Sequence, residues 1–169
     1  VVLHGRTGCG KSSFHRAGVK PVLASGRLGI GFADHDQDSF DVIRSGRSPM
    51  TQLLERLLRI VTSIDVESGR CEIGKIRSGA AGAKTLRTFF SEEYLKTLRV
   101  EMPVDGDVAY EAISGLTRFM ENEPIFVIDQ AEEVFSLADR NVGDGEEQAE
   151  RREEELSAYF RFIKLLARE

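Results

Sequence analysis

Apolar residues fall along this chain in two rhythms. Short uninterrupted runs, Val1-Val2-Leu3 and Ile125-Phe126-Val127-Ile128, have the length of buried strands, and Phe40 to Arg44 reads as another. Leu28 to Phe32, interrupted by glycines, reads as a weak strand. Elsewhere the spacing changes to three and four. Leu53, Leu54, Leu57, Leu58 and Val61 line one helical face, with Ser48 placed as N-cap and Pro49 at the first helical position. Val108, Ala109, Ala112, Ile113, Leu116 and Phe119 line a second, with Asp107 as its expected cap. Leu156, Tyr159, Phe160, Ile163 and Leu166 form a third stripe. Two shorter helices are expected, one ending near Ala17 before Gly18 and Pro21, the other opening at Ser91-Glu92-Glu93-Tyr94 and broken at Met102 to Gly106. Alternation of strand and helix predicts an α/β domain with a parallel sheet.

Periodicity fades between residues 65 and 85. Ser78-Gly79-Ala80-Ala81-Gly82-Ala83 is expected to be a mobile loop, and 65–105 reads as a variable helical and loop insertion. Residues 141–150 read as an acidic, glycine-containing linker, with Glu147 placed to pair with Arg151 one turn on. The chain starts on an apolar strand with no lead-in and stops just after its last stripe, so it is read as a piece of a longer protein.

With 169 residues, 41% hydrophobic and 30% charged, the composition is that of a folded domain and excludes a disordered tail. No uncharged apolar run reaches the roughly 18 residues that span a bilayer, so no membrane is expected. Cys9 and Cys71 are too few for a disulfide framework, and a reducing cytoplasm is the expected compartment. The net charge of -5 is uneven, +6 over residues 1–100 and -11 over 101–169, which is not the pattern of a general nucleic-acid binder.

The chemistry begins at Gly5-Arg6-Thr7-Gly8-Cys9-Gly10-Lys11-Ser12-Ser13, which satisfies G-x-x-x-x-G-K-[ST] in full. Such a loop wraps a phosphate chain with inward backbone N–H groups, and side chains at 5, 8 and 10 would block that approach. Lys11 supplies positive charge to the β- and γ-phosphates, Ser12 offers a hydroxyl to Mg²⁺, and the following helix aims its positive end at the anion. Cys9 occupies an unrestricted position of the motif and is read as a small filler. At Ile128-Asp129-Gln130-Ala131-Glu132-Glu133 an apolar strand delivers an aspartate at its carboxyl end, where ligands of parallel sheets gather. Asp129 is the second expected Mg²⁺ ligand, with Ser12. Glu133, and after it Glu132, are the candidates to orient an attacking water. Gln130 cannot act as a base but can position water by hydrogen bonds.

Together these segments resemble the STAND class of P-loop NTPases, and most closely its novel STAND branch. The likeness rests on Gly10-Lys11-Ser12-Ser13-x-x-Arg16-Ala17-Gly18-x-x-Pro21 and on Asp129-Gln130-x-Glu132-Glu133-x-Phe135, the latter also similar to the acidic motif of the NACHT branch. Arg44-Ser45-Gly46-Arg47-Ser48-Pro49 resembles the family's arginine-rich turn after the second strand. The resemblance implies a three-layer sandwich on a parallel sheet, with residues 1–169 as the N-terminal part of the nucleotide-binding core. The family's later strands, one of them between the phosphate-loop strand and the aspartate strand, and its helical lid would lie beyond this chain. It implies a switch that binds ATP or ADP with Mg²⁺, self-associates through the core and drives effectors outside this chain. Many bacterial members are regulators or defence sensors. Hydrolysis is expected of the full-length protein.

Two other readings are carried: a small-molecule P-loop kinase and a non-hydrolysing nucleotide-binding scaffold. Arg44, Arg47 and Arg87 are candidates for a charge-stabilising arginine donated by a neighbour. Residues 70–99 hold seven Lys and Arg against three Glu, compatible with a nucleic acid or protein partner but indicating neither. Asp34-x-Asp36-x-Asp38 opens like a calcium loop, but Ser39 and Ser45 stand where Gly and Glu are needed.

Overall fold

In the computed structural model the described residues are 18, 21–22, 43–44, 48–122, 124, 126, 128–129 and 146–167, with backbone alone for 43–44, 128–129, 146 and 148. Every structural statement below concerns them. Strand β1 (Ile43–Arg44) leads into helix α1 (Pro49–Thr62). A tight hairpin of β2 (Arg70–Cys71) and β3 (Gly74–Lys75) follows, then α2 (Gly79–Phe89), α3 (Glu92–Glu101) and α4 (Gly106–Phe119). Strand β4 (Ile128–Asp129) and the long helix α5 (Glu146–Leu166) complete the order.

Pro49 opens α1 as expected, since its fixed φ suits a helix start and its missing N–H is one the helix leaves unused. Met50, Leu53, Leu54, Leu57, Ile60 and Val61 are buried, and Leu58 packs at the edge of the core. Full burial of a leucine such as Leu57 contributes about 1.5–3 kcal/mol. Ser48 is the N-cap residue as expected, but its side chain makes no cap bond. Glu155 of α5 takes that place, its Oε1 accepting from the N–H groups of Met50 (3.1 Å) and Thr51 (3.3 Å). A carboxylate here satisfies two orphan donors and opposes the positive end of the helix. Glu155→Ala is therefore expected to cost about 1 kcal/mol, a fall of roughly 2–4 °C in Tm. An unchanged thermal melt would show that α1 does not need this cap.

The stretch expected to be a mobile loop is helical. Ser78 (φ 61°) and Gly79 (φ 55°) turn the chain into α2, where Gly82, Ala83 and Leu86 are buried. Small residues hid the helical period, yet alanine is the best helix former, and Leu86 anchors the element once the core is present. Helix α3 starts where expected, Ser91 Oγ accepting from Tyr94 N–H at 3.3 Å. Helix α4 starts two residues earlier than expected. Asp105, not Asp107, is its N-cap, and accepts from the N–H groups of Asp107 (2.8 Å) and Val108 (3.3 Å). Asp107 instead forms a two-pronged ion pair with Arg161 of α5, both contacts 2.9 Å.

Helices α4 and α5 share the largest interface, with α1 packed against both. The buried stripe of α5 is rotated from the expected one. Ala158, Tyr159 and Phe162 are buried, Leu156 and Ile163 lie at the core's edge, and Phe160 is 42% exposed. Close approach at Gly106 sets this rotation, because a Cβ there would lie 2.3 Å from the Ala158 carbonyl oxygen. Residues 146–150, expected in the acidic linker, already belong to α5, and Arg151 pairs with Glu147 at 2.9 Å as foreseen.

The hairpin is tied to both sides. Glu72 receives Arg56 (2.8 Å) and Arg59 (2.7 Å) from α1. Arg77 just beyond donates Nε to the Met120 carbonyl (2.6 Å) and its backbone N–H to that of Phe119 (2.8 Å), placing a cation at the negative end of α4. The described residues do not show the expected three-layer sandwich on a parallel sheet. The described residues are mostly helical, with one parallel pair and one antiparallel hairpin that periodicity did not foresee. Among them no helix is long and apolar enough to cross a membrane.

Candidate functional site

The backbone of β1 and β4 defines the site. The two strands pair in parallel, Ile43 opposite Ile128 and Arg44 opposite Asp129. Arg44 and Asp129 are the last residues of their strands, so both stand at the carboxyl edge of the pair, where sheets of this kind hold ligands. Four residues separate Arg44 from Pro49, and the Glu155-capped start of α1 follows directly.

Asp129 is the last residue of β4, but of the expected strand only Ile128 is seen with it, since Phe126 is not in strand. A carboxylate's oxygen donors are of the type that suits a hard divalent cation. Gly5, Arg6, Thr7, Gly8, Cys9, Gly10, Lys11, Ser12 and Ser13 lie outside the described residues, as do Gln130, Glu132 and Glu133. Of the candidate arginines, Arg44 is brought beside Asp129 by strand register. Arg87 is exposed on α2, which packs on α4 and the hairpin. Arg47 lies outside the described residues. Glu155 was missed: it is 105 residues from the amide it caps, and no local pattern announces such a contact.

Electrostatics elsewhere are structural. Burial pushes the Cys71 thiol up, so it stays protonated, with its Sγ 3.9 Å from Met120 Sδ. Burial, aided by Glu111, likewise raises Tyr94. Hydrogen bonding from Arg161 lowers the Asp107 carboxyl. A depressed folded-state pKa means that this pair's stabilisation is complete above the unfolded carboxyl's pKa and is lost as pH falls through the folded one. In Arg161→Gln the Asp107 carboxyl is expected to titrate at higher pH, read by carbon NMR; an unmoved titration would dissolve the pair. No group of three or more metal-ligating side chains occurs among the described residues. The basic stretch is partly committed internally, through Arg77.

A profile of the family described as Novel STAND NTPase 1 matches residues 1–168. No curated protein and no solved structure gives a significant match. The family match spans both the phosphate-loop motif and the strand ending in Asp129, and it makes the chain a nucleotide-binding signalling NTPase. By this match, the chain belongs to the Novel STAND NTPase 1 family.

Proposed function

We propose that the chain is the ATP- and Mg²⁺-binding core of a STAND-type switch, in which nucleotide state controls self-association and the activation of effectors outside this chain. The observation that carries the reading is Asp129, last on a strand parallel to β1, 118 residues after the lysine of a complete phosphate-loop motif. Lys11 and the amides of Gly5 to Ser13 hold the phosphates. Ser12 and Asp129 would hold the metal, which would supply positive charge against that developing on the phosphates. Glu133, with Glu132 as second candidate, orients water in the full-length protein. The core is proposed to adopt the P-loop three-layer sandwich, with residues 65–105 as an insertion and 141–145 as part of a linker. A role in bacterial regulation or defence, in the cytoplasm, fits this switch.

Family membership favours the switch over a small-molecule kinase. The scaffold reading rests on Gln130, which follows Asp129 and cannot serve as a base. Calorimetric titration with ATP, with and without Mg²⁺, tests the proposal. Wild type is expected to bind ATP more tightly with Mg²⁺, and Asp129→Asn to lose most of that difference. Glu133→Gln is expected to keep binding and stop turnover. Equal affinity with and without Mg²⁺ in wild type would remove the metal site. Tight ADP retention with no turnover in the intact protein would leave the scaffold.

A further inference from the structure

Arg44 and Asp129 are register partners across a parallel pair, and both end their strands. Adjacent strands lie about 4.8 Å apart, so the backbone fixes these two positions side by side within one subunit. Any phosphate and metal held at Asp129 therefore lie beside the same chain's Arg44. A neighbour's Arg44 stands beside the neighbour's own Asp129. An arginine donated between subunits belongs on an outlying segment, as Arg87 does, and not on a strand paired with the metal-binding aspartate of its own chain.

From this placement we infer that Arg44 serves the nucleotide site in cis, as a phosphate-binding cation of the same subunit that supplies Asp129. The inference rests on the functional reading above. An opposite-charge pair across strands stabilises a sheet only modestly, so a purely structural Arg44 would matter little to nucleotide. The guanidinium suits phosphate, offering planar paired donors and a charge that persists at every physiological pH.

The test is the MgATP dissociation constant of the full chain at concentrations where light scattering shows monomer. Arg44→Ala is expected to weaken binding roughly tenfold or more, with Arg44→Lys recovering part of the loss. If the alanine variant fails to fold, Arg44→Gln, which keeps the stem and drops the charge, is measured instead. Unchanged affinity in the folded variant overturns the inference, as does an effect that appears only in assembled protein. If wild type binds no nucleotide, the functional reading falls and this inference with it. If Lys11→Ala loses binding and Arg44→Ala does not, only the inference falls.

Discussion

Lys11→Ala is expected to weaken MgATP binding by on the order of 100-fold or more. On the function proposed above, the lysine follows the last glycine of a loop whose amides enclose the phosphates, and its charge is set against the most negative part of the ligand. Removing it withdraws a charge-assisted bond and leaves phosphate oxygens without a counter-charge. Arginine should restore little, because a planar guanidinium fork is not interchangeable with a compact ammonium. Calorimetry or a fluorescent nucleotide gives the affinity. The melting temperature without nucleotide should move little, which separates a lost ligand contact from a damaged fold. Wild-type affinity in this variant would leave the phosphate loop without a function.

Gly106→Ala is expected to destabilise the fold by about 2 kcal/mol, a drop of roughly 4–8 °C in Tm. A Cβ at this position would lie 2.3 Å from the Ala158 carbonyl oxygen and 2.7 Å from the Phe162 nitrogen. Both are backbone atoms of α5, so the helix itself must retreat. That retreat would loosen Ala158, Tyr159 and Phe162, and would pull Glu155 away from the start of α1. Gly115→Ala in the same helix is the control. Its Cβ would meet the Phe89 ring at 2.7 Å, but that ring is 41% exposed and can swing aside. Alanine's helix propensity, about 1 kcal/mol better than glycine, then offsets the displacement. Equal melting temperatures for the two variants would refute the close packing of α4 on α5.

Much of the helical half was legible because its apolar spacing is strong. Leu53, Leu54, Leu57 and Val61 announce α1, and Ala109, Ala112, Ile113 and Leu116 announce α4. Asp129 was legible because an apolar run ending in an acid is a local pattern, and β4 ends there. Helix α2 was not legible, since Gly82 and Ala83 carry little hydrophobic signal and are buried only because neighbouring elements close over them. The hairpin escaped because each of its strands has two residues, too few to show alternation.

Local chemistry along the polymer determined the phosphate-loop motif, the aspartate-ending strand and most helices, since each depends on residues within a few turns of one another. Tertiary structure decided which acid caps α1, which aspartate caps α4 and which face of α5 turns inward. It also decided that Arg44 stands beside Asp129. These choices depend on groups up to 105 residues apart, brought together by close packing and strand register, and short-range spacing carries no record of them.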